Sequence, residues 1–115
     1  MSLQLPRREE LVIAPEKLHG YLLSTAHPVG RSKAAFFVGV LGFRPTRWNE
    51  LESALRWHAS AEVSSVVPTA FGTKFVIRAS LLGPSGRAAQ VRSIWFVAQS
   101  GGAPVFVTAY PEAQT

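Results

Sequence analysis

The residue pattern of this chain changes at Glu62, and that change decides what it can fold into. Before Glu62, apolar residues recur at helical spacing. Leu18, Tyr21 and Leu22 stand at i, i+3 and i+4 behind Pro15, a residue suited to a first helical turn. Ala34, Ala35, Phe36, Phe37, Val38, Val40 and Leu41 form a run too apolar to face water, with Ser32 ahead of it as a cap and Gly42 behind it as a stop. Trp48, Leu51, Leu55 and His58 keep the same spacing behind Thr46, a good cap. Helices are therefore expected from Pro15 to about Ser24, from Ser32 to about Leu41 and from Thr46 to about Ala61. After Glu62, β-branched and aromatic residues alternate in four runs: Val63 to Val67, Phe71 to Ala79, Gln90 to Ala98 and Pro104 to Tyr110. The links between them are short and carry turn residues, as in Gly83-Pro84-Ser85-Gly86 and Ser100-Gly101-Gly102, so antiparallel hairpins follow. Helices first and a meander afterwards predict an α+β fold, with two to three N-terminal helices packed on one face of a four-stranded antiparallel β-sheet.

At 115 residues, 47% of them hydrophobic, the chain has enough material for one core and one domain. Residues 1–10, with Arg7, Arg8, Glu9 and Glu10, read as a flexible N-terminal arm without the apolar core of a signal peptide. No apolar run is long enough to span a bilayer, and with no cysteine there is no disulfide framework, so a cytoplasmic location is expected. Twelve Lys and Arg stand against seven acidic residues, all glutamate, for a net charge of +5. That balance favours polyanionic partners, nucleic acid or an acidic protein. The glutamates are scattered and His19, His27 and His58 lack zinc-ligand spacing, so metal-independent chemistry without a cofactor is expected. His58 is expected to end its helix partly exposed, with no catalytic role.

Chemistry concentrates in two places. The first is the turn His27-Pro28-Val29-Gly30-Arg31-Ser32-Lys33, where a histidine and two cations stand beside the free amides at the start of an apolar helix. Such a helix start is a plausible phosphate seat. Lys17, one turn before Tyr21, joins that side. The second place is the polar face of the sheet. Alternation puts Lys74 with Arg78, Arg92 with Ile94 and Phe96, and Thr108 with Tyr110, and one face is expected to collect these polar groups. Alternation sets the faces of each strand and not their register. Arg31, Lys74, Arg78 and Lys17 suit RNA phosphates, and Trp95 suits stacking an unpaired base. His27 is an acid–base candidate, Lys33 and Arg92 can stabilise charge on phosphorus, and Thr108 and Tyr110 can position or donate.

The series Lys17, Tyr21-Leu22-Leu23, His27-Pro28, Ser32-Lys33-Ala34, Leu41-Gly42-Phe43 and Trp48 resembles a bacterial domain family of unknown function. The second half agrees, with Pro68-Thr69-Ala70-Phe71-Gly72-Thr73-Lys74-Phe75, Val91-Arg92-Ser93-Ile94-Trp95 and Val107-Thr108-Ala109-Tyr110-Pro111. That family in turn resembles the bacterial RNase toxins that share the barnase, EndoU, colicin and RelE fold. The resemblance implies one toxin-like α+β domain over residues 11–115. It also implies metal-independent endoribonuclease activity through 2′-OH attack to a 2′,3′-cyclic phosphate, as the toxin of a toxin–antitoxin pair. The implied catalytic residues are His27, Lys33, Arg92, Thr108 and Tyr110. The implied partners are RNA, tRNA among the candidates, and a small antitoxin or immunity protein. The alternative on the same fold is a non-catalytic RNA- or protein-binding module, of antitoxin or immunity type.

Overall fold

The helical half of the sequence becomes three short helices and the alternating half a single meander. The computed structural model describes residues 3–28 and 30–112; Met1 and Ser2 of the expected arm, Val29 of the expected turn and residues 113–115 lie outside the described residues. Helix α1 covers Pro15–Lys17 and runs directly into a π-helical turn, Leu18–Leu22. Helix α2 covers Arg31–Phe37 and α3 covers Trp48–His58, the latter entered through a 3₁₀ turn at Pro45–Arg47. Strands β1 (Ser65–Pro68), β2 (Gly72–Leu82), β3 (Ala88–Ala98) and β4 (Val105–Pro111) follow. They pair antiparallel in the order β1-β2-β3-β4. The α+β architecture with helices preceding a four-stranded antiparallel sheet is as the pattern predicted.

The helices differ from expectation at their ends, each for a local reason. Pro15 does occupy the first turn of α1. The chain then closes a wider turn, the Leu23 amide donating to the Leu18 carbonyl at 2.9 Å. That extra residue per turn keeps Leu18, Leu22 and Leu23 all in the core while Tyr21 stays only half-buried. The apolar run after Lys33 stops as regular helix at Phe37, and turns carry it to Gly42, whose φ of 85° reverses the chain. Ser32 does not cap α2: Gly30 is the N-cap, with no side-chain cap bond. Thr46 likewise does not cap α3, whose N-cap is Arg47.

Strand alternation produces the core face. Ile77 and Leu81 from β2, Val91 and Trp95 from β3, and Phe106 and Ala109 from β4 pack with Leu18, Leu22, Phe37, Leu51 and Leu55. Trp95, read as a base-stacking ring, is instead fully buried. It shares a strand face with Val91 and Ser93, meets Phe106 edge-on at 5.3 Å and donates its indole N–H to Ser93 Oγ at 2.9 Å. His58, expected partly exposed, is 1% exposed. Carbonyls only accept, so its Nε2–H donates to the Ala79 and Val91 oxygens at 3.0 and 2.9 Å, and Nδ1 accepts from Ser93 Oγ at 2.8 Å. Burial foremost, partly opposed by the two carbonyls, holds the His58 pKa below its ordinary value. The segment read as an arm also carries structure. Leu5 is 2% exposed, the Val63 amide donates to the Leu3 carbonyl at 2.8 Å, and Arg8–Glu10 forms a 3₁₀ turn.

Two irregularities sit at the free edge of β4. Val12 forms a short parallel bridge with Val105, so the entering chain covers the start of that edge before climbing into α1. Then the β3–β4 register jumps from Ile94↔Thr108 to Trp95↔Phe106, leaving Val107 as an extra residue. Phe106 and Ala109 both remain in the core, and the two residues between them turn away from it.

Candidate functional site

The π turn and the bulge face one another, and a cavity of about 620 Å³ lies between them. Its walls are Ala14, Glu16, Lys17, Gly20, Tyr21 and His27 on the helical side and Val107 and Thr108 on the strand side. Lys33, two residues into α2, reaches the same point. Its ammonium donates to the Tyr21 hydroxyl and, at 3.0 Å, to Thr108 Oγ1; the two hydroxyls are 3.4 Å apart. Lys33 Nζ also stands 4.8 Å from the Tyr21 ring centre and 5.9 Å from that of Tyr110, and Lys17 Nζ 5.7 Å from Tyr21. Three stretches distant in sequence thus converge on one lysine.

The electrostatic consequence falls on Tyr21. Burial acts to raise its pKa. The hydrogen bonds from Lys33 and Thr108, with the charges of Lys33 and Lys17, outweigh burial and hold the phenol below its ordinary value of 10.0. Lysines 17 and 33 therefore make the phenol in the cavity wall easier to deprotonate. Tyr21 was legible only as a core-facing residue from its spacing. The Lys17–Tyr21 i,i+4 pair was the one signal of more, and Lys33 is not local to it.

His27 lines the same cavity, its ring edge-on to Tyr21 at 5.0 Å. Its Nδ1 accepts from the Gly30 amide at 3.0 Å and its carbonyl from the Arg31 amide at 3.0 Å. Two amides at the start of α2, expected to be offered to phosphate, are thus already engaged within the turn. An Nδ1 that accepts leaves the proton of the neutral ring on Nε2. Gly30 is needed where it stands, because a Cβ there would lie 2.2 Å from the Tyr21 carbonyl oxygen.

The outer sheet face collects the expected polar residues. Arg78 pairs with Arg92, and Arg92 with Tyr110, across β2, β3 and β4. Arg92 stands 5.6 Å from the Tyr110 ring and 3.4 Å from its hydroxyl. Tyr110 therefore lies between the Lys33 cluster and the arginines. Both arginines are held by Glu112, which sequence reasoning placed in no role. Arg92 grips its carboxylate at 2.9 and 3.0 Å, and Arg78 approaches at 3.5 Å. That grip raises Arg92, and the Arg92 hydrogen bond in turn lowers Glu112. Lys74, at the other end of β2 opposite Phe96, and Arg31, the first residue of α2, are exposed and enter none of these contacts among the described residues. Among the described residues no group of three or more His, Cys, Asp or Glu is placed to hold a metal ion, and no helix is long and apolar enough to cross a membrane.

The fold is similar to that of a chain in a contact-dependent growth inhibition toxin–immunity protein complex from Klebsiella pneumoniae 342. The two are 19% identical with a TM-score of 0.66, over 94% of this chain and 98% of that one. No curated protein matches the sequence. A family model matches residues 4–113, nearly the whole chain, which therefore belongs to the domain of unknown function family DUF6883.

Proposed function

We propose that this domain is a metal-independent endoribonuclease and the toxin of a toxin–immunity or toxin–antitoxin pair. The observation that carries the reading is Lys33, a cation tied to Tyr21 and Thr108, two residues that line an open cavity. In the proposed reaction the 2′-oxygen attacks phosphorus, the bond from phosphorus to the 5′-oxygen breaks, and a 2′,3′-cyclic phosphate remains. Tyr21, whose phenol Lys33, Thr108 and Lys17 make more acidic, takes the 2′-OH proton after losing its own. Lys33 stabilises the charge that gathers on the phosphorane oxygens. Thr108 holds Lys33 in place, and His27 donates a hydrogen bond from its Nε2–H to the 5′-oxygen, which takes its proton from solvent as it leaves. Arg92 and Tyr110 bind the adjoining backbone, and Lys17, Arg31, Lys74 and Arg78 steer RNA in a domain of net charge +5.

The structural neighbour's complex contains a toxin and an immunity protein, and a similar role for this chain supports the reading. That complex has two kinds of member. It therefore also supports a second reading, a non-catalytic binding module of immunity type. One experiment separates the two. Purified protein is incubated with total cellular RNA in EDTA, beside the Lys33→Ala, Tyr21→Phe and His27→Ala variants, and fragment ends are mapped. Discrete fragments with cyclic-phosphate ends, falling at least about 100-fold in Lys33→Ala, are expected. Intact RNA with folded wild-type protein would defeat the nuclease and favour the binding module, and cleavage indifferent to Lys33→Ala would defeat the mechanism centred on Lys33.

A further inference from the structure

Glu112 has no place in the chemistry just described, yet it occupies the best anion site on the outer sheet face. Its carboxylate takes two hydrogen bonds from the Arg92 guanidinium, at 2.9 and 3.0 Å, and lies 3.5 Å from Arg78 Nε. Two guanidinium groups converging on one anion is the arrangement that binds a phosphate diester, whose oxygens accept the same forked pair of N–H groups. The Tyr110 hydroxyl, 3.4 Å from Arg92 Nη1, adds a further polar contact. The group is reachable from solvent, since the side chains of Arg78, Arg92 and Glu112 are 48%, 27% and 24% exposed. It also adjoins the reactive cluster. The Tyr110 ring centre lies 5.6 Å from the Arg92 guanidinium carbon and 5.9 Å from Lys33 Nζ, and Thr108 and Tyr110 are two strand positions apart, about 7 Å. That is within reach of one nucleotide.

We infer that Arg78, Arg92 and the Tyr110 hydroxyl form a seat for the RNA phosphate neighbouring the one that is cut, and that Glu112 occupies this seat in the free protein as an internal competitor. The inference rests on the ribonuclease reading for the identity of its ligand. The Arg92–Glu112 pair is bidentate but only partly buried, so solvent reaches it and a polyanion held at several points at once displaces the single carboxylate. An arriving phosphate then meets two cations that the free protein keeps engaged with one carboxylate.

The test is binding of a 2′-O-methyl RNA oligonucleotide, which lacks the attacking hydroxyl, followed by fluorescence anisotropy across a salt series. Wild type, Glu112→Gln and Glu112→Gln with Arg92→Gln are compared, each checked for folding by thermal melting. Glu112→Gln should bind more tightly. Its slope of log Kd against log salt should steepen by about 0.7 for one added phosphate contact. Arg92→Gln in that background should erase both gains. An unchanged slope, or weaker binding, in Glu112→Gln overturns the seat. Cleavage of total RNA by the same preparations separates this inference from the reading beneath it. Cleavage without the Glu112→Gln gain defeats the seat and leaves the nuclease. The gain without cleavage leaves the seat and defeats the nuclease, and RNA neither bound nor cut defeats both.

Discussion

Replacing His58 with leucine should cost this domain about 3 kcal/mol, and most of that loss is visible in the hydrogen bonds around it. Leucine roughly fills the volume, so little of the effect is a cavity. The Ser93 hydroxyl proton loses its acceptor at Nδ1, and the Ala79 and Val91 carbonyls lose the Nε2–H. A buried group left unpaired costs about 1–3 kcal/mol, and a carbonyl with a second lone pair in use falls at the low end. One hydroxyl and two carbonyls then sum to about 3 kcal/mol, a large share of the roughly 5–15 kcal/mol that holds such a domain together. At about 4 °C per kcal/mol for a chain of this size, the melting temperature should fall by about 12 °C at neutral pH. The same network fixes the pH response. His58 is neutral in the folded state and its pKa is depressed, so the unfolded chain binds the extra proton. Its contribution is therefore fully present above the unfolded value of 6.5 and is lost as pH falls towards the folded value. Glu10 and Glu112 titrate below 4.5 and leave that window clear. Thermal melts between about pH 8 and about pH 5 should show wild type losing stability on acidification and His58→Leu losing much less. A variant within about 3 °C of wild type at neutral pH, or an equal acid response in both proteins, would refute the reasoning.

Lys33→Met should raise the Tyr21 phenol's pKa, because burial remains while the hydrogen bond and the nearer charge are gone; absorbance titration of the phenolate, with Tyr21→Phe assigning the transition, reads this directly, and an unmoved transition would show that Lys33 does not govern the phenol. Gly30→Ala should cost more than the usual gain from replacing glycine, at least about 2 kcal/mol, since its Cβ meets backbone at the Tyr21 carbonyl and not a yielding side chain; an unchanged melt would mean that the turn after Tyr21 adapts freely. Thr108→Val should leave the melt within about 1 kcal/mol of wild type while cutting the proposed cleavage, because it removes two part-buried hydrogen bonds, the one to the Tyr21 hydroxyl a long one, yet takes away one of the two hydroxyls that hold Lys33; equal losses in both measurements would assign Thr108 a structural part only.

What could be read in advance follows from the range of the forces involved. The strands were legible because alternation is a local pattern with period two, and β2 to β4 begin and end within a few residues of the runs that predicted them. Helix ends were less so. Ser32 and Thr46 are good caps by type, but Gly30 is drawn tight against the Tyr21 backbone, and that contact starts α2 two residues earlier. Trp95 and His58 were misplaced for a common reason. Each has a polar atom that ordinarily seeks water, and each finds it inside through Ser93, 35 residues from His58 in sequence. Lys33, Thr108 and Tyr110 were visible as candidates from their types. The meeting of Lys33 and Thr108 with Tyr21 depends on a π turn and a bulge, neither of which has a signature in one sequence.

The two irregularities admit a simpler reading, that residues 12–33 just cover the open edge of β4. Exposed edges invite pairing with other chains, and lysine is a common guard against it. A guarding lysine works by holding a hydrated, mobile charge over the edge. Lys33 does the opposite. Its ammonium is bound by a phenol and a hydroxyl and lies over two aromatic rings. A cover would also continue the backbone pairing begun at Val12. The chain instead leaves the edge after Phe106 and opens a cavity over the bulge, walled by Lys17, Tyr21, His27 and Thr108. Such contacts at a half-exposed edge add little stability, so stability does not account for a wide helical turn and a broken strand register occurring side by side. Titratable and hydroxyl side chains, brought to one space by two departures from regular structure, are what supports the proposed site over a plain edge cover.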